Sequence, residues 1–125
     1  MTTATLLRVT TLLMLAAAPA YAGPKIMASA PASNGYPTPQ DLRCNILNLN
    51  KTAKPVTIDV LDYSGNIVST SGPLVLAPST AASHLATDPF SSAVCRFTVE
   101  GSTKKYRAVA TYNNGASYTT AHAAP

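Results

Sequence analysis

Hydrophobic and polar residues alternate along much of the chain after residue 40, which is the pattern of β-strands with one buried face. The clearest examples are residues 42–47 and residues 93–100. Each of these segments places one cysteine, Cys44 or Cys95, on its apolar face. We therefore predict that both cysteines point into a common core.

Shorter β-rich runs separated by turn residues complete the pattern. Residues 80–87 are rich in Ala and fit either a strand or a helical turn. Asn114-Gly115 favours a two-residue hairpin, because both residues tolerate positive φ. The remaining predicted strands are residues 56–60, 67–68, 74–76, 106–112 and 116–121. About seven short strands and no long helix predict an all-β domain, a small antiparallel two-sheet sandwich.

The N-terminal segment Met1–Ala22 is typical of a secretory signal peptide. Arg8 precedes the apolar residues 12–18, a run too short for a bilayer span, which needs about 20 residues. Small residues in Ala20-Tyr21-Ala22 suit cleavage after Ala22, although an uncleaved anchor is the alternative. We expect an extracytoplasmic protein, either periplasmic or secreted.

Residues 23–40 form a Pro-rich stretch that also contains Asn34-Gly35. So many breakers exclude a helix or a long central strand. Ile26 and Met27 still permit a short edge strand. The predicted organisation is a signal peptide at 1–22, this N-terminal segment or edge strand at 23–40, and the β-sandwich domain at 41–125.

The chain has two cysteines, Cys44 and Cys95. In an oxidising compartment an even pair is most simply a disulfide. A redox-active or metal-binding cysteine is the alternative, but neither a CxxC spacing nor a neighbouring His supports it. We predict one Cys44–Cys95 disulfide.

The charge balance is mildly basic. The formal net charge of the whole chain is +4, and loss of Arg8 with the signal peptide leaves about +3. Only Lys104, Lys105 and Arg107 are clustered, so they form a possible basic contact patch at a hairpin tip. The sequence does not favour a nucleic-acid partner, which needs a larger basic surface.

Catalytic and metal-binding patterns are weak. His84 and His122 have no His, Cys or paired carboxylate at ligand spacing, so we predict neither a metal site nor a cofactor. Ser102-Thr103-Lys104-Lys105 matches the S-x-x-K string of serine acylases but lacks their further motifs. Asp59 and Asp62 are close enough in sequence to meet near a strand end, where solvated turn carboxylates are more common than an acid-base pair. We predict no catalytic residue.

Asn50-Lys51-Thr52 fits the N-glycosylation acceptor pattern. This signal has meaning only in a eukaryotic host. In a bacterial protein the same residues form an ordinary polar turn.

Several segments carry a resemblance to known proteins. These segments are Leu42-Arg43-Cys44-Asn45, residues 56–60, residues 62–66, residues 95–101 and Tyr106-Arg107-Ala108. Through them the chain is similar to a group of small, functionally uncharacterised secreted bacterial proteins with an immunoglobulin-like β-sandwich and one cysteine pair. The resemblance implies a bacterial source, an extracytoplasmic location and no catalytic residues to transfer.

Together these features favour a non-enzymatic module that binds a partner protein or glycan, or has a structural role, at the cell envelope. A second hypothesis is a small secreted hydrolase, or an inhibitor of such an enzyme. A third is binding of an anionic polymer through the basic contact patch. If the protein were a hydrolase, its candidate active groups would be Asp59, Asp62, His84, Ser102 and His122.

Overall fold

The computed structural model describes residues 23–30, 32–33, 40–88, 92–112 and 118–123 of the chain. The predicted signal peptide, Met1–Ala22, and the predicted Asn114-Gly115 hairpin turn lie outside these residues. Within them, every regular element except one short 3-10 turn is a β-strand. No helix of the described residues has the length and apolar character needed to cross a membrane.

The strands account for most of the described chain. The 3-10 turn lies at Thr103–Lys105, between β7 and β8. In chain order the strands are β1 Lys25–Ser29, β2 Ala32–Ser33, β3 Gln40–Asn48, β4 Lys54–Leu61, β5 Ile67–Leu76, β6 Ala81–Asp88, β7 Ser92–Val99, β8 Tyr106–Tyr112 and β9 Tyr118–Ala123.

The strands form two antiparallel layers. One layer has the strand order β5-β4-β7-β1-β9, and the other has the order β8-β3-β6. Pairing between β8 and β9 joins the two layers, and the two-residue β2 pairs with β7. This arrangement confirms the predicted all-β, two-sheet sandwich, while its immunoglobulin-like character stays a prediction.

The core lies between the layers and follows the predicted alternation. On β3 and β7 the apolar face is fully buried, and Cys44 and Cys95 lie on it. The two cysteines form the predicted disulfide, with their Cα atoms 5.8 Å apart, and it links the three-stranded layer to the five-stranded layer. The largest fully buried side chains of the described core are Tyr106, Phe97, Leu42, Ile46 and Ile58.

The segments predicted as separate strands at 67–68 and 74–76 belong to one strand, β5. The predicted interruption between these two segments was wrong, because the chain makes a bulge there instead. Ser71 and Gly72 lie opposite Ile58, and Gly72 has a φ of 64°. The Ile58 N–H donates to Ser71 Oγ at 2.9 Å, so a side chain replaces the lost backbone partner.

The other differences concern β1 and β6. We expected Ile26 and Met27 on an edge strand, but β1 pairs with β7 on one side and with β9 on the other. β1 has only five residues and fits between the first two prolines of the segment. The high proline content therefore gave no indication of a central strand. From Ala81 onward the Ala-rich segment forms a strand rather than a helical turn, as β6 pairs with β3 along its whole length.

Candidate functional site

The strongest candidate site lies where β8 separates from β9. The two strands pair from Val109 and Thr120 through Thr111 and Tyr118. Beyond that point Ala121 and the rest of β9 pair with β1 instead. The layers therefore part beside the first half of β8, and a cavity of about 590 Å³ opens there. We call it the β8–β9 cleft.

The cleft has an apolar lining and a polar rim. Most of its lining surface is apolar, and the apolar residues that line it include Met27, Ile46, Ala108, Val109 and Ala121. Its polar residues include Asn45, Thr103, Lys104, Arg107 and His122. Among the described residues that line the cleft there is no Asp or Glu, so its charged side chains are cationic.

The strand register directs backbone groups of β8 toward the cleft. The Leu49 N–H donates to the Lys105 carbonyl at 2.8 Å, so the peptide groups of residue 105 face β3. Because these groups alternate in direction along an antiparallel ladder, those of Tyr106 and Ala108 face away from β3, toward β9. The strand edge that borders the cleft is therefore polar as well as apolar.

Arg107 is held at this edge by the backbone. Its Nη1 donates to the carbonyl of Lys104 at 2.9 Å and to the carbonyl of Tyr106 at 2.8 Å. These two bonds fix a guanidinium that would otherwise be free on an exposed strand residue. The structure thus places two of the three residues of the predicted basic contact patch, Lys104 and Arg107, on the cleft, whereas Lys105 does not line it.

No known protein family model matches the chain, and neither a curated protein nor a solved structure matches it. The site is therefore defined by its own geometry.

The candidate carboxylates each stabilise the fold. Asp59 is 5% exposed, and its Oδ2 accepts from Nη2 and Nε of Arg96 at 2.8 and 3.2 Å. Asp62 Oδ1 accepts from the backbone N–H groups of Ser64 and Asn66, both at 2.9 Å. The Asn66 backbone bond is the main reason that the pKa of Asp62 lies below its ordinary value. The structure therefore does not join Asp59 and Asp62 as an acid-base pair.

The remaining hydrolase candidates, His84, Ser102 and His122, lie in three different surroundings. His84 Nε2 lies 2.7 Å from Ser69 Oγ, a pairing that the sequence did not reveal. Ser102 precedes the 3-10 turn, which is too short to be the helix that opens with S-x-x-K in serine acylases. His122 is exposed on the rim of the cleft. Among the described residues no group of three or more His, Cys, Asp or Glu side chains is arranged to hold a metal ion.

The predicted glycosylation acceptor takes part in a turn network. Asn50 Nδ2 and the Asn50 backbone N–H both donate to Asn48 Oδ1 at 2.8 Å. Asn48 is fully buried, and its own Nδ2 donates to the Leu76 carbonyl at 2.9 Å. A glycan on Asn50 would compete with this network, so the structure favours the turn interpretation.

Proposed function

We propose that the processed chain is an extracytoplasmic, non-enzymatic binding module and that the β8–β9 cleft holds its ligand. The observation that carries this proposal is the cavity of about 590 Å³ at the point where the layers part. Its volume lies within the range of ordinary ligand sites, and an apolar lining with a few polar groups is their usual composition. The Cys44–Cys95 disulfide and the predicted signal peptide support a location outside the cytoplasm.

We propose a non-enzymatic module because the candidate catalytic carboxylates already bind other groups of the protein. A catalytic carboxylate must be able to exchange a proton with a substrate. Asp59 instead forms a mostly buried ion pair with Arg96. Asp62 accepts hydrogen bonds from backbone N–H groups of its own turn. The cleft itself offers cations, one exposed His and backbone groups, a set that binds more readily than it catalyses.

Site-specific photocrosslinking tests the proposal. A photoreactive amino acid at His122 or Thr103, both on the cleft, should give a discrete adduct in cells that make the protein. The same amino acid at Val75, which is 80% exposed on β5 and does not line the cleft, is the matched control. Adducts from the cleft positions alone support a ligand there, and their mass separates a small molecule from a protein. Equal labelling from Val75, or none from the cleft, would refute the proposal.

One observation favours a second candidate function, a serine hydrolase based on Ser69 and His84. A hydroxyl within 2.7 Å of an imidazole is the first requirement of an activated serine. No bond from a carboxylate to His84 is found in the described part of the chain, so the third member of a triad is missing there. Labelling with a fluorophosphonate decides the matter: loss of the label in Ser69→Ala supports a hydrolase, and an unlabelled wild type excludes it.

A further inference from the structure

Resting on the proposed function, we infer that the β8–β9 cleft binds a single-chain amphiphile with an anionic head group. The alkyl chain would lie against the apolar lining, and the head group would meet Lys104 and Arg107 at the rim. The two halves of this inference rest on different residues, so they can be tested separately.

The site proposed for the alkyl chain is inferred from the small side chains that lie where the two layers part. Ala108 and Ala121 lie next to the last β8–β9 pair, Val109 and Thr120, and each is almost completely buried. Their methyl groups leave room that larger core residues would fill, and Met27 borders the same space. Met is a flexible, unbranched side chain that adapts to an irregular guest. Each methylene that a guest removes from water should strengthen binding about fourfold.

The anionic head group is inferred from the cationic side chains on the rim of the cleft. Lys104 and Arg107 line the cleft, and no acidic side chain of the described lining opposes them. The two backbone bonds of Arg107 use a single nitrogen, Nη1, of a guanidinium that carries five N–H donors. The other donors keep a fixed orientation toward a carboxylate or phosphate. A polyol head, such as that of a glycan, would leave both cations without a counterion.

A set of matched probes tests the inference on the processed chain, residues 23–125, with its disulfide intact. The probes are octanoate, decanoate, decyl phosphate, decanol and decyltrimethylammonium, each below its micelle concentration. Binding is followed by the methyl resonances of Met27, Ala108 and Ala121, with Val75 as the remote reference. We expect saturable shifts at the three cleft methyls, an affinity roughly fifteenfold higher for decanoate than for octanoate, and no saturable binding of the cation. Comparison of decanoate with decyl phosphate identifies the head group.

A charge-reversal pair tests the role of the rim. Lys104→Glu should weaken decanoate binding roughly tenfold, because one attraction is replaced by a repulsion at a partly exposed site. Arg43→Glu is the matched control, since Arg43 is exposed on β3 and does not line the cleft. It should bind decanoate as the wild type does.

Two results would overturn the inference. Equal binding of decanol, decanoate and decyltrimethylammonium would show that the rim does not select charge. Absence of saturable shifts with every probe would exclude an amphiphile. If photocrosslinking from the cleft still captures a ligand in either case, the binding module stands and only the ligand class is wrong. If it captures nothing, the proposed function fails as well.

Discussion

Ser69 Oγ on β5 lies 2.7 Å from His84 Nε2 on β6, and this contact joins the strands at the two ends of the strand order. β5 and β6 are not paired as neighbouring strands, so the side chains connect the layers where the backbone does not. On the opposite side of the sandwich, pairing between β8 and β9 performs the same task and then ends at the cleft. One side is therefore closed by side chains and the other opens.

We predict that the Ser69–His84 contact stabilises the closed side. Ser69→Ala and His84→Ala should each lower the free energy of unfolding, and the coupling between them should be about 1 kcal/mol. Urea denaturation of both single variants and the double variant measures this coupling. Amide hydrogen exchange should also rise in β5 and β6 in each variant. Strictly additive effects would contradict a direct interaction.

The disulfide should contribute more to the stability of the fold than any other single interaction. Cys44 and Cys95 are 51 residues apart, and closing a loop of that length stabilises a fold by about 4 kcal/mol in the chain-entropy model. We expect reduction of the disulfide, in a protein that comprises residues 23–125, to lower the free energy of unfolding by roughly this amount, which is a large share of the stability of so small a domain. Intact mass before and after reduction, together with thermal unfolding, checks the prediction. A reduced protein as stable as the oxidised one would contradict it.

The disulfide and the core strands could be predicted because they depend on local patterns. The period of two over residues 42–47 and 93–100 assigns both cysteines to the core without knowledge of the partner strands. The strand β5 was predicted less well. Gly72 and Pro73 are turn residues by composition, and only the pairing with β4 reveals that they form a bulge within one strand.

The candidate site could be predicted only in part. Lys104 and Arg107 stood out because charged residues cluster there in the sequence. The cleft beside them depends on where β9 changes its partner from β8 to β1, which no local pattern encodes. The same holds for His84, whose partner Ser69 lies 15 residues earlier on another strand.

The Asp59–Arg96 ion pair should be a substantial contributor on the five-stranded layer. The Asp59 side chain is 7% exposed and that of Arg96 is 31% exposed, so the pair lies between a surface pair and a buried one. Arg96→Met leaves a mostly buried carboxylate without its guanidinium, and we expect a loss of about 2 kcal/mol. Denaturant unfolding measures this loss.

Two further variants separate the charge from other effects of the Arg96 substitution. Adding Asp59→Asn to Arg96→Met should recover part of the lost stability, because the unpaired charge is removed. Arg43→Met, on an exposed position of β3, should change stability by less than about 0.5 kcal/mol. A double variant that is less stable than Arg96→Met would show that the charge is not the cause.

Tyr106 should make the stability of the fold sensitive to alkaline pH. Its side chain is 1% exposed, and its Oη donates to the Glu100 carbonyl at 2.6 Å. Burial raises the pKa of Tyr106 above its ordinary value of 10.0, while the hydrogen bond with Asn50 acts in the opposite direction. In the unfolded chain the phenol ionises near pH 10, whereas in the folded chain it stays protonated to higher pH. Unfolding therefore releases a proton in this range.

The free energy of unfolding should consequently be constant with respect to Tyr106 below about pH 10 and fall as the pH rises toward the folded-state pKa. Tyr106→Phe should cost about 1 kcal/mol at pH 8, because the Glu100 carbonyl loses its donor, and should show a shallower alkaline decline than the wild type. Urea unfolding between pH 8 and 11 compares the two. Tyr63→Phe, at an 85% exposed position, is the matched control and should follow the wild type at every pH. If Tyr106→Phe declines as steeply as the wild type, the alkaline loss belongs to other groups and not to the buried phenol.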